Sequence, residues 1–212
     1  MITLSNLDRS EALRYLGAKA MSPDNMTNEL MDRAEEDILK VCRPAYTFTE
    51  IEKTSPILGG EDIQKVLKPC QKAVVIAATL GMYIDKLMRK IQITDMAQAV
   101  VFDALASVAI EQFMDKIELE LKERYKGYYF TNRFSPGYGD YPLEKQRDIV
   151  RLLQTEKKIG LNLTNSLMLN PSKSVTAIIG LSKTKTGDES LKCKSKCDRC
   201  NNKNCPYRRE ST

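Results

Sequence analysis

The spacing of hydrophobic residues predicts a chain in which helices and strands alternate. A short helical stripe within residues 8–21 and a stronger one that begins after Asp24 favour two amphipathic helices. Alternation with period two over residues 45–51 is typical of a half-buried strand. The continuous apolar run 73–78 indicates a central strand buried on both faces. Short helices are expected on either side of that run, over 61–68 and 82–91.

The longest periodic element is a predicted helix over residues 94–125. Its first two thirds are rich in Ala, Val and Leu, which is typical of a helix buried on most sides. Asp103, Ser107 and Glu111 recur every four residues in this part and therefore share one side of the helix. Because a buried carboxylate needs a partner, we expect Asp103 to bond backbone amides or an Arg.

The remaining elements are shorter. A brief strand is predicted over 127–132, and a helix from Leu143 to Lys158 with Ile149, Leu152 and Leu153 facing inward. Two further strands are expected, over about 163–169 and 174–180. The character of the chain changes after Gly180, where a polar linker begins.

Composition and charge exclude several classes of function. The net charge of +5 comes from the segment after Ser182, with nine Lys or Arg against four acids, so the body is neutral and unlike a nucleic-acid surface. The absence of histidine excludes Ser-His and Cys-His nucleophilic sites and imidazole metal ligands. No uninterrupted apolar run approaches the roughly 18 residues of a membrane span, and the first ten residues do not resemble a signal peptide. We therefore expect a cytoplasmic protein without a membrane segment.

The segment from Arg133 to Lys145 is predicted to be an ordered loop. Its two prolines and two glycines exclude a helix or a central strand, and Pro136-Gly137 suits a turn with a positive φ at Gly137. Arg133, Asp140 and the tyrosines 138 and 141 are the kinds of side chain that hold a small polar ligand. The alternative is a purely structural turn.

Four cysteines cluster near the carboxyl terminus with the spacing C-x3-C-x2-C-x4-C-P: Cys193, Cys197, Cys200 and Cys205. In a chain without an export signal such a cluster favours a metal over disulfides. The single C-x2-C pair and the final Cys-Pro favour an iron–sulfur cluster, with zinc as the alternative and unligated thiols as the third reading. Cys42 and Cys70 lie in apolar or helical settings and are predicted to be inert.

Three motifs in order resemble one known family. The first contains Arg133, Gly137, Tyr138 and Pro142; the second is L-L-x-x-E-K-x-x-G-x-x-L-T-x-S from Leu152 to Ser166; the third is P-x-x-S-V from Pro171 to Val175. Together they are similar to the S-adenosylmethionine-binding activation domain of cobalamin-dependent methionine synthase.

The resemblance implies a fold and a function. The fold is α+β, a twisted antiparallel sheet with flanking helices over residues 1–181. The composition and the cysteine spacing, not the resemblance, predict a linker and four-cysteine metal-binding tail over 182–212. The function is to bind S-adenosylmethionine and support reductive methylation of Co(II) cobalamin, as an accessory component rather than a complete enzyme. The cobalamin would be carried by a separate methionine synthase or another corrinoid protein, with a flavodoxin- or ferredoxin-type electron donor.

The same resemblance implies the ligand contacts: Glu111, Arg133, Ser135, Gly137 and Tyr138. The family also supplies an acid from near its start, for which Asp8 is the candidate. Two departures from the family pattern concern the ligand. Gly-Asp-Tyr at 139–141 replaces Pro-Ala-Cys, and the linker replaces an aromatic pair after the S-V strand. Two alternatives therefore stay open: a redox activator that works through the cysteine tail, and a structural zinc-tailed binding protein.

Overall fold

The computed structural model describes residues 2–18 and 23–184, in which seven helices and six strands are found. The helices are α1 (Arg9–Tyr15), α2 (Asn25–Val41), α3 (Glu61–Leu67), α4 (Met82–Thr94), α5 (Met96–Arg124), α6 (Lys145–Leu153) and α7 (Thr155–Ile159). The strands are β1 (Ala45–Glu52), β2 (Lys72–Thr79), β3 (Tyr129–Phe130), β4 (Asn162–Leu163), β5 (Leu169–Asn170) and β6 (Ser174–Ser182).

Four of these strands form an antiparallel sheet in the order β1-β2-β6-β3. β2 pairs along its whole length with β1 on one side and β6 on the other, so that Lys72 lies opposite both Glu52 and Leu181. β4 and β5 form a separate two-stranded hairpin. The long pairings of β2 make it the centre of the sheet, as its apolar sequence predicts.

Alternate residues of β2 face two hydrophobic cores. Val74 and Ile76 belong to the core beneath α2, α4 and α5, whereas Ala73 and Val75 belong to the core beneath α3 and α6. All four are fully buried, which confirms the prediction of a strand covered on both faces. An antiparallel sheet between two helical layers confirms the α+β class.

We call the core beneath α2, α4 and α5 the first core and the core beneath α3 and α6 the second core. α5 is the main helix of the first core. Asp95 caps its start by accepting the N–H of Gln98 (3.0 Å), and the helix then packs against α1, α2, α4 and the sheet. By length and composition it could cross a membrane, a property that the search for uninterrupted apolar runs missed. However, 61% of its most apolar window is buried inside the fold, as in a core helix, so packing accounts for that composition.

Two predicted elements and the orientation of one residue differ from the structure. The helix expected from Leu143 to Lys158 begins later and is broken at Gln154, whose φ of 52° is left-handed although no glycine or proline marks the break. Leu152, predicted to face inward, is exposed. The strand expected over 163–169 is instead a hairpin, because the chain turns between β4 and β5.

Candidate ligand-binding site

The candidate site lies on the solvent-facing side of α5. The helical period places Asp103, Ser107 and Glu111 in one row on that side, as predicted from their spacing, and Asp115 continues the row. The prediction that these residues are buried is wrong: the Asp103 side chain is 60% exposed and that of Glu111 is 46% exposed. The buried residues of α5 lie between them in sequence and face the core, so the row is the polar border of a core helix.

Arg133 is brought over this row by the chain that follows α5. The helix ends at Tyr125, a turn through Gly127 (φ 87°) reverses the direction, and β3 then pairs with the end of β6. Phe134 extends this pairing by exchanging two backbone hydrogen bonds with Ile178 (2.9 and 2.8 Å). The backbone of Arg133 therefore lies between β3 and Phe134, both of which are paired with β6, and its side chain reaches back to α5.

The guanidinium of Arg133 is surrounded by carboxylates. Its Nη2 lies 2.6 Å from Asp115 Oδ1 and 3.6 Å from Glu111 Oε2, and its Nε lies 3.9 Å from Glu118 Oε2. The side chain is 25% exposed, and within the described residues its buried Nη1 has no hydrogen-bond partner. Glu111 and Arg133 thus lie together, while one donor of the guanidinium is left without an acceptor.

The loop after Arg133 divides into an exposed part and an anchored part. Ser135 is half-buried and Tyr138 is exposed, and they are joined by a hydrogen bond from the N–H of Tyr138 to the carbonyl of Ser135 (3.2 Å). Gly137 has the predicted positive φ (86°), and its N–H donates to the carbonyl of Tyr141 (2.8 Å). The predicted contacts Ser135, Gly137 and Tyr138 therefore lie on the accessible turn that follows Arg133.

Asp140 and Tyr141, which the sequence placed among the ligand-binding side chains, have structural roles. The carboxylate of Asp140 accepts the backbone N–H groups of Glu61 (2.6 Å) and Asp62 (3.0 Å) at the start of α3, and these bonds lower its pKa. Tyr141 is fully buried, its hydroxyl donates to the carbonyl of Ile57 (2.9 Å), and burial raises its pKa. The departure from the family pattern at 139–141 thus fastens the loop to the second core.

Asp103 pairs with Lys173, a residue that the sequence analysis did not select. The Lys173 Nζ lies 2.7 Å from Asp103 Oδ1 and donates to the Ser107 hydroxyl (2.9 Å). The prediction of an Arg or backbone partner for Asp103 is therefore wrong in identity. Lys173 lies within the P-x-x-S-V motif, just before β6, and this position is the one signal that could have indicated it. A cavity of about 370 Å³ between α1 and α5 is also lined by Asp103 and Ser107.

Asp8 lies beside α5, next to the row that contains Glu111. Its carboxylate caps α1 by accepting the N–H groups of Ser10 (3.0 Å) and Glu11 (3.1 Å), and its own N–H donates to the side chain of Gln112 (3.2 Å). Gln112 is the residue next to Glu111, so Asp8 borders the candidate site. The structure thus gives Asp8 a capping role and a position adjacent to the row.

The two cysteines of the folded part have the properties predicted for inert thiols. Cys42 and Cys70 are buried and free, and burial raises the pKa of both, that of Cys70 to about 11. Within residues 2–18 and 23–184, three or more His, Cys, Asp or Glu residues do not come together as metal ligands would. The predicted metal ligands, Cys193, Cys197, Cys200 and Cys205, lie outside the described residues.

Comparisons with known proteins agree with the fold and the motifs. The sequence model of one family, described as the activation domain of vitamin B12-dependent methionine synthase, matches residues 72–186, more than half of the 212 residues. The chain belongs to this family. Among solved structures, the chain is similar to the MetH reactivation domain bound to AdoHcy, with 23% identity and a TM-score of 0.48. That match covers 54% of this chain and only 40% of the solved one. No curated protein matches.

Proposed function

We propose that this protein binds S-adenosylmethionine and supports the reductive methylation of Co(II) cobalamin on a separate cobalamin-dependent methionine synthase. One observation carries the proposal: within the segment matched to the family, Arg133 and Glu111 lie 3.6 Å apart on an accessible face. The pair offers a fixed cation and a carboxylate at the positions where the family holds this ligand. The proposal places the protein in the cytoplasm and requires no membrane segment.

The ligand chemistry assigns a role to each predicted contact. The planar guanidinium of Arg133 binds the ligand carboxylate with two parallel hydrogen bonds. Because Nη1 is buried, the donors are Nη2 and Nε, and the ligand carboxylate replaces Asp115 at Nη2. Glu111 balances the ligand ammonium or accepts from a ribose hydroxyl. The backbone from Ser135 to Gly137 reaches the polar edge of adenine, and Tyr138 packs on the ligand.

The reaction consumes one electron and one methyl group. Co(II) on the partner gains an electron, and the methyl cation leaves the sulfonium with the S–CH3 bond broken, so that methyl-Co(III) and a neutral thioether result. The electron comes from a donor of the flavodoxin or ferredoxin type. In this proposal the chain contributes the position and orientation of the methyl donor.

A second candidate function is a corrinoid-protein redox activator that works through the cysteine tail, without S-adenosylmethionine binding. The short contact of Arg133 with Asp115 (2.6 Å) favours it, because a ligand carboxylate would have to compete for that guanidinium. In this case residues 182–212 form a linker and an iron–sulfur tail, whereas a zinc tail would be structural because zinc has no redox chemistry. Anaerobically purified protein would be brown with broad visible absorption if the metal is iron–sulfur, and colourless if it is zinc.

Calorimetry followed by a reconstitution assay tests the first function. We expect the protein to bind S-adenosylmethionine and S-adenosylhomocysteine, with the second displacing the first. We also expect methylcobalamin to form when the protein, a reductant and S-adenosylmethionine are added to a Co(II) methionine synthase that lacks its own activation domain. The absence of binding would remove the first function, whereas methylcobalamin formation would remove the second.

A further inference from the structure

Asp115 makes the shortest contact to Arg133, yet it is not among the contacts assigned to the ligand. It follows Glu111 by one helical turn, and its side chain is 63% exposed. The 2.6 Å contact joins Asp115 Oδ1 to Arg133 Nη2, the nitrogen that also approaches Glu111. A ligand carboxylate on Arg133 would replace this contact and leave the charge of Asp115 beside the ligand.

The charges around Arg133 do not cancel. Three carboxylates approach its guanidinium, those of Glu111, Asp115 and Glu118. Glu118 is also paired with Lys122 (2.8 Å), the second cation of the group. Three negative charges against two positive ones leave this group of five side chains with one net negative charge. The site therefore favours a ligand with a net positive charge.

We infer that Asp115 gives the site its preference for the sulfonium form of the ligand over the neutral thioether. The inference rests on the proposed function and names a further specificity residue for it. S-Adenosylmethionine carries a carboxylate, an ammonium and a sulfonium, for a net charge of +1, whereas S-adenosylhomocysteine has lost the sulfonium charge. Both ligands offer the same carboxylate to Arg133, and the positive guanidinium repels a sulfonium, so Arg133 alone does not favour S-adenosylmethionine. The excess carboxylate charge does.

The size of the effect follows from the exposure of Asp115. Two unit charges several ångströms apart at a largely hydrated surface attract each other weakly, which corresponds to about a two- to fivefold difference in affinity. The preference for the charged ligand over the neutral one also has a consequence for turnover. When the methyl group has left, the thioether no longer carries the charge that the site attracts, so it exchanges more readily for a new methyl donor.

The experiment compares the affinities of the two ligands in matched variants of the full chain. Calorimetry gives the ratio of the dissociation constants of S-adenosylhomocysteine and S-adenosylmethionine. We expect Asp115→Asn to lower this ratio about two- to fivefold, and Asp115→Glu to preserve it because the charge is kept. Glu123→Gln, which removes an exposed carboxylate on the same helix that pairs with Lys126 (2.9 Å), should leave the ratio unchanged. Added salt should lower the ratio of the unmodified protein more than that of Asp115→Asn.

The ratio separates this inference from a purely structural role of Asp115. If Asp115 only orients Arg133, Asp115→Asn weakens both ligands equally, the ratio stays constant, and the inference is overturned. Thermal unfolding of each variant verifies that the fold is intact. If the unmodified protein binds both ligands and the ratio does not respond to Asp115, this inference fails while the proposed function stands. If the unmodified protein binds neither ligand, both fail.

Discussion

Arg133 Nη2 lies 3.6 Å from Glu111 Oε2, on the outer side of the longest helix of the fold. The carboxylate comes from the middle of α5, and the guanidinium from a loop that β6 anchors through Phe134. A core helix and a paired strand thus hold the two partners, which limits their movement before a ligand arrives. Preorganisation of this kind lowers the entropic cost of binding a small polar molecule.

Replacing Arg133 by Lys should weaken ligand binding while the positive charge is kept. The ammonium of Lys is a point charge and cannot form two parallel hydrogen bonds with a carboxylate. We expect roughly a tenfold loss of affinity for S-adenosylhomocysteine, measured by calorimetry. Arg147→Lys on the exposed side of α6 is the matched control and should bind like the unmodified protein. Equal affinities of Arg133→Lys and the control would show that Arg133 does not hold the ligand carboxylate.

The cap that Asp140 provides for α3 should make stability depend on pH in acid. Hydrogen bonds from the backbone N–H groups of Asp62 and Glu61 lower the pKa of Asp140. A carboxyl whose native pKa is depressed stabilises the fold fully above its unfolded-state pKa of about 3.9, and this contribution disappears as the pH falls through the native pKa.

We therefore expect Asp140→Asn to lower the unfolding temperature near neutral pH, because the amide has a single oxygen to accept two N–H groups. The difference from the unmodified protein should be constant above about pH 5 and should shrink below about pH 4. Calorimetric scans at several pH values measure it. A difference that persists unchanged at pH 3 would contradict a role for the ionised carboxylate.

Gly60 packs closely against the loop at Asp140 and Tyr141. Its φ is 105°, and a Cβ there would lie 3.0 Å from the carbonyl oxygen of Asp140 and 3.2 Å from the Cα of Tyr141. We expect Gly60→Ala to destabilise the protein by about 1–3 kcal/mol, since both the backbone conformation and the contact disfavour a side chain. At Gly59 a Cβ would meet only the flexible end of Lys145 (3.2 Å), so Gly59→Ala should cost less. Urea unfolding of the two variants makes the comparison.

Features that depend on local pattern could be predicted from the sequence. The apolar run 73–78 is covered on both faces because no polar residue interrupts it, and Asp24 caps α2 by accepting the N–H of Thr27 (2.7 Å). The proximity of Glu111 and Arg133 agrees with the family resemblance. Periodicity alone could place Glu111 on a side of its helix but could not show what lies opposite.

Features that depend on distant contacts could not be predicted. Four-residue spacing showed that Asp103 and Glu111 share a side of α5. Whether other elements cover that side depends on the whole fold, and in the structure the side is exposed to solvent. Asp140 and Tyr141 are exposed-loop residues by pattern, yet α3 and Ile57 give them structural partners far away in the chain. The role inferred for Asp115 depends on its 2.6 Å contact with Arg133, which only the folded chain brings about.

The cysteine tail can be tested independently of the ligand site. We expect Cys197→Ser to lose bound metal, because removing one thiolate of four leaves an incomplete ligand set for either an iron–sulfur cluster or zinc. Cys70→Ala is the control: this thiol is buried and its pKa is raised to about 11, so it stays protonated at neutral pH and should not contribute to metal binding. Metal analysis and visible spectra of anaerobically purified protein measure both variants. Unchanged metal content in Cys197→Ser, or an equal loss in Cys70→Ala, would exclude the proposed ligand set.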